Sequence, residues 1–153
     1  PIVPRFDTDY PELGVRSFFK GTFHKPALSA LELGSKRIFR IEPGDLIFSN
    51  VFAWEGAIAI ASPEDANRVG SHRFITCVPE PERADARYLL QYFQTEEGFA
   101  KIKKASPGGA GRNRTLGLEA LANIEVPVPP LSDQHWFAEL HRKVQNLSLA
   151  QDS

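Results

Sequence analysis

The sequence predicts an α/β domain of the α+β type. A curved or barrel-like, mostly antiparallel sheet with short helices is followed by a projecting C-terminal helix. Three observations carry this expectation. Short extended segments crowd between residues 14 and 78, spaced too closely for strands that alternate with helices. After Pro79 and Pro81 the apolar period lengthens to that of a helix. Beyond Pro129-Pro130, one apolar stripe runs toward the end of the chain. The division expected is a domain over residues 1–130 and a separate helix over 131–153.

Taken in order, Val15 to Phe19 is a short mixed run ended by Gly21. Ile38 to Ile41 and Leu46 to Phe52 flank Glu42-Pro43-Gly44-Asp45. That tetrapeptide suits a type II turn, with proline presetting the second position and glycine supplying positive φ at the third, so the two runs are expected to form a hairpin. Ala57 to Ala61 reads as a buried strand, broken by Ser62-Pro63-Glu64-Asp65, and His72 to Val78 as a further one. Leu89, Leu90 and Phe93 then mark a helix from about Asp85 to Gln94. Thr95 caps a second helix, with Glu96 and Glu97 in its first turn, where acids suit the dipole, and Phe99 and Ile102 on its apolar face. Ala105 to Arg114 is a glycine-rich loop, and Ile124, Val126 and Val128 alternate as a last strand. Ser132 suits an N-cap, with Leu131 and Trp136 as a hydrophobic staple across it. Trp136, Phe137, Leu140, Val144 and Leu147 form the stripe of a helix that calls for a partner.

Composition bounds the function classes. The 153 residues are 42% hydrophobic and 24% charged, which is ordinary for one globular domain. No run approaches the roughly 20 apolar residues of a membrane span, and the first residues lack the charged and apolar regions of a signal peptide. A single cysteine, Cys77, excludes an internal disulfide framework and a cysteine-based zinc cage. A cytoplasmic location is expected. The absence of methionine and the abrupt start at Pro1-Ile2-Val3-Pro4 favour a piece of a larger protein. With a net charge of −1, no global field draws the chain onto DNA or an anionic membrane, so nucleic-acid binding requires local patches.

Enzyme signatures are missing. His135 and His141 lie six apart, which puts them on different helix faces instead of the i, i+4 pairing of a zinc helix, and His24 and His72 stand alone. G-x-S-x-G is absent, and Cys77 between Thr76 and Val78 reads as an inert buried thiol. Gly108-Gly109-Ala110-Gly111-Arg112-Asn113-Arg114-Thr115 resembles a phosphate loop but has no lysine before a serine or threonine at the required spacing. No catalytic residue and no metal site is assigned, and the chain is not expected to be a catalyst.

Local basic patches do exist. Lys101, Lys103, Lys104, Arg112 and Arg114 fall in a stretch without an acid; Ser71-His72-Arg73 and Lys36-Arg37 with Arg40 are two more. Each considered alone reads first as a solvated face. The glycines before Arg112-Asn113-Arg114 permit close backbone approach to a ligand, and those side chains are of the types that read guanine, adenine or phosphate. Lys101, Lys103 and Lys104 suit phosphates. Arg16-Ser17 with Lys20, and Ser49-Asn50, end predicted strands in the same first half. Trp54 in Trp54-Glu55-Gly56 is a core anchor or a base stacker.

Several segments together resemble the target-recognition domain of the specificity subunit of type I restriction–modification systems. They are Gly14-Val15-Arg16-Ser17-Phe18, Pro43-Gly44-Asp45-Leu46, Phe52-Ala53-Trp54-Glu55-Gly56-Ala57, Gly70-Ser71-His72-Arg73-Phe74 and Ser106 to Arg114. Val126-Pro127-Val128-Pro129-Pro130-Leu131-Ser132-Asp133-Gln134 is similar to that family's junction between recognition domain and spacer helix, and the resemblance runs from about Val3 to Val144. It implies a non-catalytic reader of double-stranded DNA. In that family two recognition domains, each reading half of a split target, are separated by two long antiparallel helices. Methyltransferase subunits bring S-adenosylmethionine, and a motor subunit using ATP translocates and cuts. No cofactor is then expected on this chain, which has one such domain and the start of one helix; a second recognition domain or a second copy of the chain would complete it.

The expected DNA contacts are Arg16, Ser17, Lys20, Asn50, His72, Arg73, Lys101, Lys103, Lys104, Arg112, Asn113 and Arg114. The expected protein interface is Trp136, Phe137, Leu140, Val144 and Leu147. Three rivals stand beside this reading: a module that docks methyltransferase subunits and touches DNA weakly, the recognition domain of a fused restriction–methylation enzyme, and a small nucleotide-binding enzyme built on the glycine loop.

Overall fold

The computed structural model describes residues 1–108 and 114–152, with side chains described as far as Leu147. Strands β1 (Asp9–Val15) and β2 (Thr22–Ser29) are followed by the short helix α1 (Ala30–Leu33), then by β3 (Ile38–Arg40), β4 (Leu46–Ser49), β5 (Ile58–Ile60), β6 (Val69–Ser71) and β7 (Phe74–Cys77). Helices α2 (Ala86–Gln94), α3 (Glu96–Lys104), α4 (Leu118–Ala122) and α5 (Leu131–Asp152) complete the chain. Single 3₁₀ turns at Ala53–Glu55 and Pro63–Asp65 join the strands on either side of β5.

The strands form two sheets, in the orders β2-β1-β6-β3 and β5-β4-β7. All pairings are antiparallel apart from one parallel link between β1 and β6 at Glu12 and Val69. The α+β class holds, but the two sheets do not close into a barrel. Pro26 sits in β2, at the outer edge of its sheet, where a missing N–H breaks no central ladder.

β4 organises the core because both of its faces are covered. Leu46 and Phe48 meet Tyr92 and Phe93 of α2, Ile102 of α3 and Leu121 of α4. Phe48 and Phe93 pack edge to face, with ring centroids 5.6 Å apart, the arrangement the ring quadrupoles favour. Ile47, on the opposite face, joins Leu13, Ile41 and Ala61. A continuous apolar run, instead of an alternating one, is what a strand covered on both faces requires.

The helix starts follow capping chemistry. The Asp85 side chain accepts from the Arg87 N–H to open α2, and Thr95, the cap that the sequence predicts, accepts from the Gly98 N–H to open α3. Four expectations change. Glu42–Asp45 is a turn, with φ +94° at Gly44 and a 3.1 Å bond from the Asp45 N–H to the Glu42 carbonyl, but β3 and β4 do not pair. They leave the turn into different sheets, and Ile41 and Ile47 are both buried in the same cluster. The β1–β2 hairpin extends the sheet well before Val15, and the chain from Arg16 to Lys20 is a turn, not the predicted strand. Residues 124–128 form no strand: Pro127, Pro129 and Pro130 lack donors, and the carbonyls of Glu125 and Pro127 are taken instead by Lys101 Nζ (2.7 Å) and the Tyr88 hydroxyl (2.7 Å). Finally, α5 begins at Leu131, with the Pro130 carbonyl accepting from Asp133 and Gln134 N–H groups, so Ser132 lies inside the first turn and does not cap it.

Candidate nucleic-acid interface

The connections that leave the strands converge into one linked surface. The first is the turn between β1 and β2. Arg16 N–H donates to the Gly21 carbonyl at 2.8 Å, while the N–H groups of Phe18 and Phe19 donate to the carbonyls of Glu55 and Gly56 at 2.9 and 2.8 Å. The Ser17 hydroxyl also reaches Glu55 Oε1, at 3.4 Å. Two glycines permit this fit. A Cβ on Gly14 would stand 2.3 Å from the Phe23 ring, and that ring lies beneath the Arg16 guanidinium, 5.5 Å from it. A Cβ on Gly56 would meet the Phe19 ring at 2.9 Å and the Phe18 nitrogen at 3.1 Å. Phe18 and Phe19 both have positive φ, +62° and +55°, which costs bulky residues about 1–3 kcal/mol each.

The second connection is the stretch after β4. Asn50 N–H donates to the Arg73 carbonyl at 2.8 Å, and the Asn50 carbonyl accepts from Leu116 N–H at 2.7 Å. This residue therefore ties the β6–β7 turn, which carries exposed His72 and Arg73, to the chain that follows Arg114. Its side-chain Oδ1 is buried and finds no donor among the described residues. Trp54 is fixed by a 2.9 Å bond from its indole to the Val51 carbonyl, and the Arg114 guanidinium lies over its ring at 5.1 Å. Arg114 also donates from Nε to the Ser106 carbonyl at 3.1 Å and from Nη2 to the Lys103 carbonyl at 3.0 Å. Much of its fork is thus spent on the protein itself.

The structure accordingly links the turns that carry Arg16, Ser17, Asn50, His72, Arg73 and Arg114, with Trp54 beneath the Arg114 guanidinium. Lys103 adjoins this group: its ammonium lies over Phe99, 4.4 Å from the ring centroid, and Phe99 packs edge-on against Phe19. Lys101 and Lys104 do not. Lys101 is bound to the Glu125 carbonyl and lies over Tyr92, and both lysines flank a shallow cavity with Asn123, Ile124 and Glu125 on the α4 side of α3. Lys20 borders a groove shared with α2 and α5, beside Arg87 and Arg142. Arg112 and Asn113 lie outside the described residues.

Buried polar groups hold the scaffold beneath these turns. Asp65 is buried and accepts from the Thr22 hydroxyl (2.8 Å), His24 Nε2 (2.8 Å) and the Ser62 N–H (2.9 Å). Burial works to raise its pKa, but the bonds from Ser62, Thr22 and His24 outweigh it and hold the carboxyl below its ordinary value. Burial pushes the Cys77 thiol up, away from nucleophilic use. Among the described residues, no cluster of three or more His, Cys, Asp or Glu could hold a metal, and no helix is long and apolar enough to cross a membrane.

The α5 stripe is out in solvent: Trp136, Phe137, Leu140, Val144 and Leu147 are each at least 44% exposed. The opposite side of the same helix is anchored, with Gln134 and Ala138 buried. Sequence reasoning missed Phe18, which stands 67% exposed between Arg16 and Lys20. Two adjacent phenylalanines in a short polar stretch were the available signal, but the strand reading absorbed them.

No protein-family model matches the chain, and no curated protein matches it. Solved structures do. The HsdS subunit from Thermoanaerobacter tengcongensis superposes with a TM-score of 0.71 at 19% identity, over 96% of this chain and 40% of that one. A chain from a structure describing complex assembly and conformational transition of the type I R-M system superposes with a TM-score of 0.77 at 16% identity, over 96% of this chain and 38% of that one. The chain therefore has the fold of part of an HsdS subunit, and it spans about two fifths of the length of these relatives.

Proposed function

We propose that this chain is a target-recognition domain that reads part of a double-stranded DNA site for a type I restriction–modification complex and carries no catalysis of its own. The observation that supports it is the single linked surface made by the turns at Arg16–Gly21, Asn50–Gly56 and His72–Arg73 with Arg114, on a fold shared with an HsdS subunit. Exposed arginines on rigid turns supply fork donors for base edges and phosphates. Chemistry would reside on partners: S-adenosylmethionine on methyltransferase subunits, ATP on a motor subunit. The exposed stripe of α5 is the surface offered to methyltransferase subunits, to a second recognition domain or to a second copy.

Selection of random duplexes by the chain together with its methyltransferase subunit, at fixed moderate salt, tests this. Enrichment of a short motif supports the reading, and a two-fold symmetric motif identifies a helix-paired half-subunit. A partner-bound chain that enriches nothing leaves docking as the function. The exposed stripe favours that second reading, and Leu140→Asp with Val144→Asp separates the two by abolishing partner binding while sparing DNA binding.

A further inference from the structure

We infer that Phe18 is itself a DNA contact, its ring meeting the bases of the bound duplex; this rests on the duplex-reading function proposed above. Positive φ at two successive phenylalanines persists only where the surroundings impose it. Here the Glu55 and Gly56 carbonyls bind the two N–H groups, and Gly56 leaves the space that the turn fills. The two rings then have different fates. Phe19 packs edge-on against Phe99, whereas Phe18 is 67% exposed. Burial of the Phe18 ring therefore does little to offset the strain, and a rigid turn holds a large apolar group in water.

The neighbouring side chains indicate what that group meets. Arg16 stands two residues before it on the turn, Arg114 stacks on Trp54 next to Glu55, whose carboxylate takes the Ser17 hydroxyl, and Lys103 lies over Phe99, which touches Phe19. An apolar protein surface laid over Phe18 would have to desolvate these cations without neutralising them. A duplex neutralises them with phosphates and offers the ring base edges and thymine methyl groups in its grooves, and a base face where a step opens to admit it. An aromatic ring amid cations fits that partner.

The test titrates the selected duplex with the wild-type chain, Phe18→Ala and Phe18→Trp, each together with the methyltransferase subunit, at several salt concentrations, with thermal melting of each chain. Phe18→Ala is expected to weaken binding about 5- to 150-fold, the range of one lost specific contact to a duplex base pair. The salt slope should stay constant, because no charge is removed, and the melting temperature should not fall. Phe18→Trp should recover most of the affinity. Equal binding by wild type and Phe18→Ala overturns the inference and leaves the duplex-reading function standing. A loss that tracks a lower melting temperature and is not recovered by Phe18→Trp marks a structural residue and also overturns it. A wild-type chain that binds no duplex overturns the underlying function, and the Phe18 contact with it.

Discussion

The side-chain oxygen of Gln134, on the first turn of α5, accepts the backbone N–H of Asp85 at 2.9 Å, the residue that caps α2. The same amide donates to the carbonyls of Arg83 (3.0 Å) and Pro129 (2.8 Å), and Gln134 is wholly buried. One side chain thus joins the root of the long helix, the start of α2 and the proline-rich approach. An ionic cluster centred on the half-buried Asp85 adjoins this joint. Asp85 pairs with Arg87 at 2.9 Å, and His135 and Glu139 lie alongside. Burial works to raise the Asp85 pKa, but the bonds and charge of Arg87 outweigh it and keep the carboxyl below its ordinary value.

Gln134→Leu keeps the volume and removes all three bonds, leaving one donor and two acceptors buried without partners. It is expected to destabilise the domain by about 2–4 kcal/mol. Urea unfolding should show an unchanged slope and an earlier midpoint.

Asp65→Asn is expected to cost about 1–3 kcal/mol at neutral pH, because the replacement no longer offers the Thr22 hydroxyl, His24 Nε2 and the N–H and hydroxyl of Ser62 a charged acceptor. The Asp65 pKa is lowered in the folded state, so its stabilisation is present above the unfolded value, about 3.9, and is lost as pH falls through the folded value. The stability gap between wild type and variant, measured by chemical unfolding, should narrow as pH drops below about 4.

Two glycine substitutions should separate strain from collision. Gly21 and Gly56 both have φ near +90° (+90° and +87°), but an added Cβ meets nothing within 4 Å at Gly21, whereas at Gly56 it meets Phe19 and Phe18. Gly21→Ala should cost about 1 kcal/mol, and Gly56→Ala about 2–4 kcal/mol. Only Gly56→Ala should also displace the Phe18 turn and weaken duplex binding.

Arg114 and Arg73 should divide by role. Arg114→Lys removes a fork that spans the Lys103 and Ser106 carbonyls over Trp54, and should lower stability by about 1–2 kcal/mol. Arg73 is exposed and offers its side chain to solvent, so Arg73→Ala should leave stability within about 0.5 kcal/mol. It should weaken the selected duplex by about 1–3 kcal/mol where it contacts a base, or reduce the salt slope by about one where it contacts a phosphate. Thermal melts and salt-dependent titrations read both.

Local signals in the sequence determined the helices and the turns. Asp85 and Thr95 are strong caps, Leu89, Leu90, Phe93, Phe99 and Ile102 keep helical spacing, and Pro43-Gly44 sets a turn whatever surrounds it. The apolar run Ala57–Ala61 announced a buried strand for the same reason. Tertiary packing decided the rest. Nothing within Ile38–Phe52 reveals that its two strands part, because that depends on Ile41 and Ile47 being buried in one cluster with Leu13 and Ala61, far away in the chain. Val126 and Val128 alternate like a strand, but their segment is prolines and borrowed side-chain bonds, which no period records. The basic residues showed the same limit. Residue type made Lys101 and Lys103 equal candidates, and only the fold bound Lys101 to the Glu125 carbonyl and left Lys103 beside the turn that carries Phe18. Charge and spacing are properties of the chain; which side chains share a surface depends on contacts between residues that the chain keeps far apart.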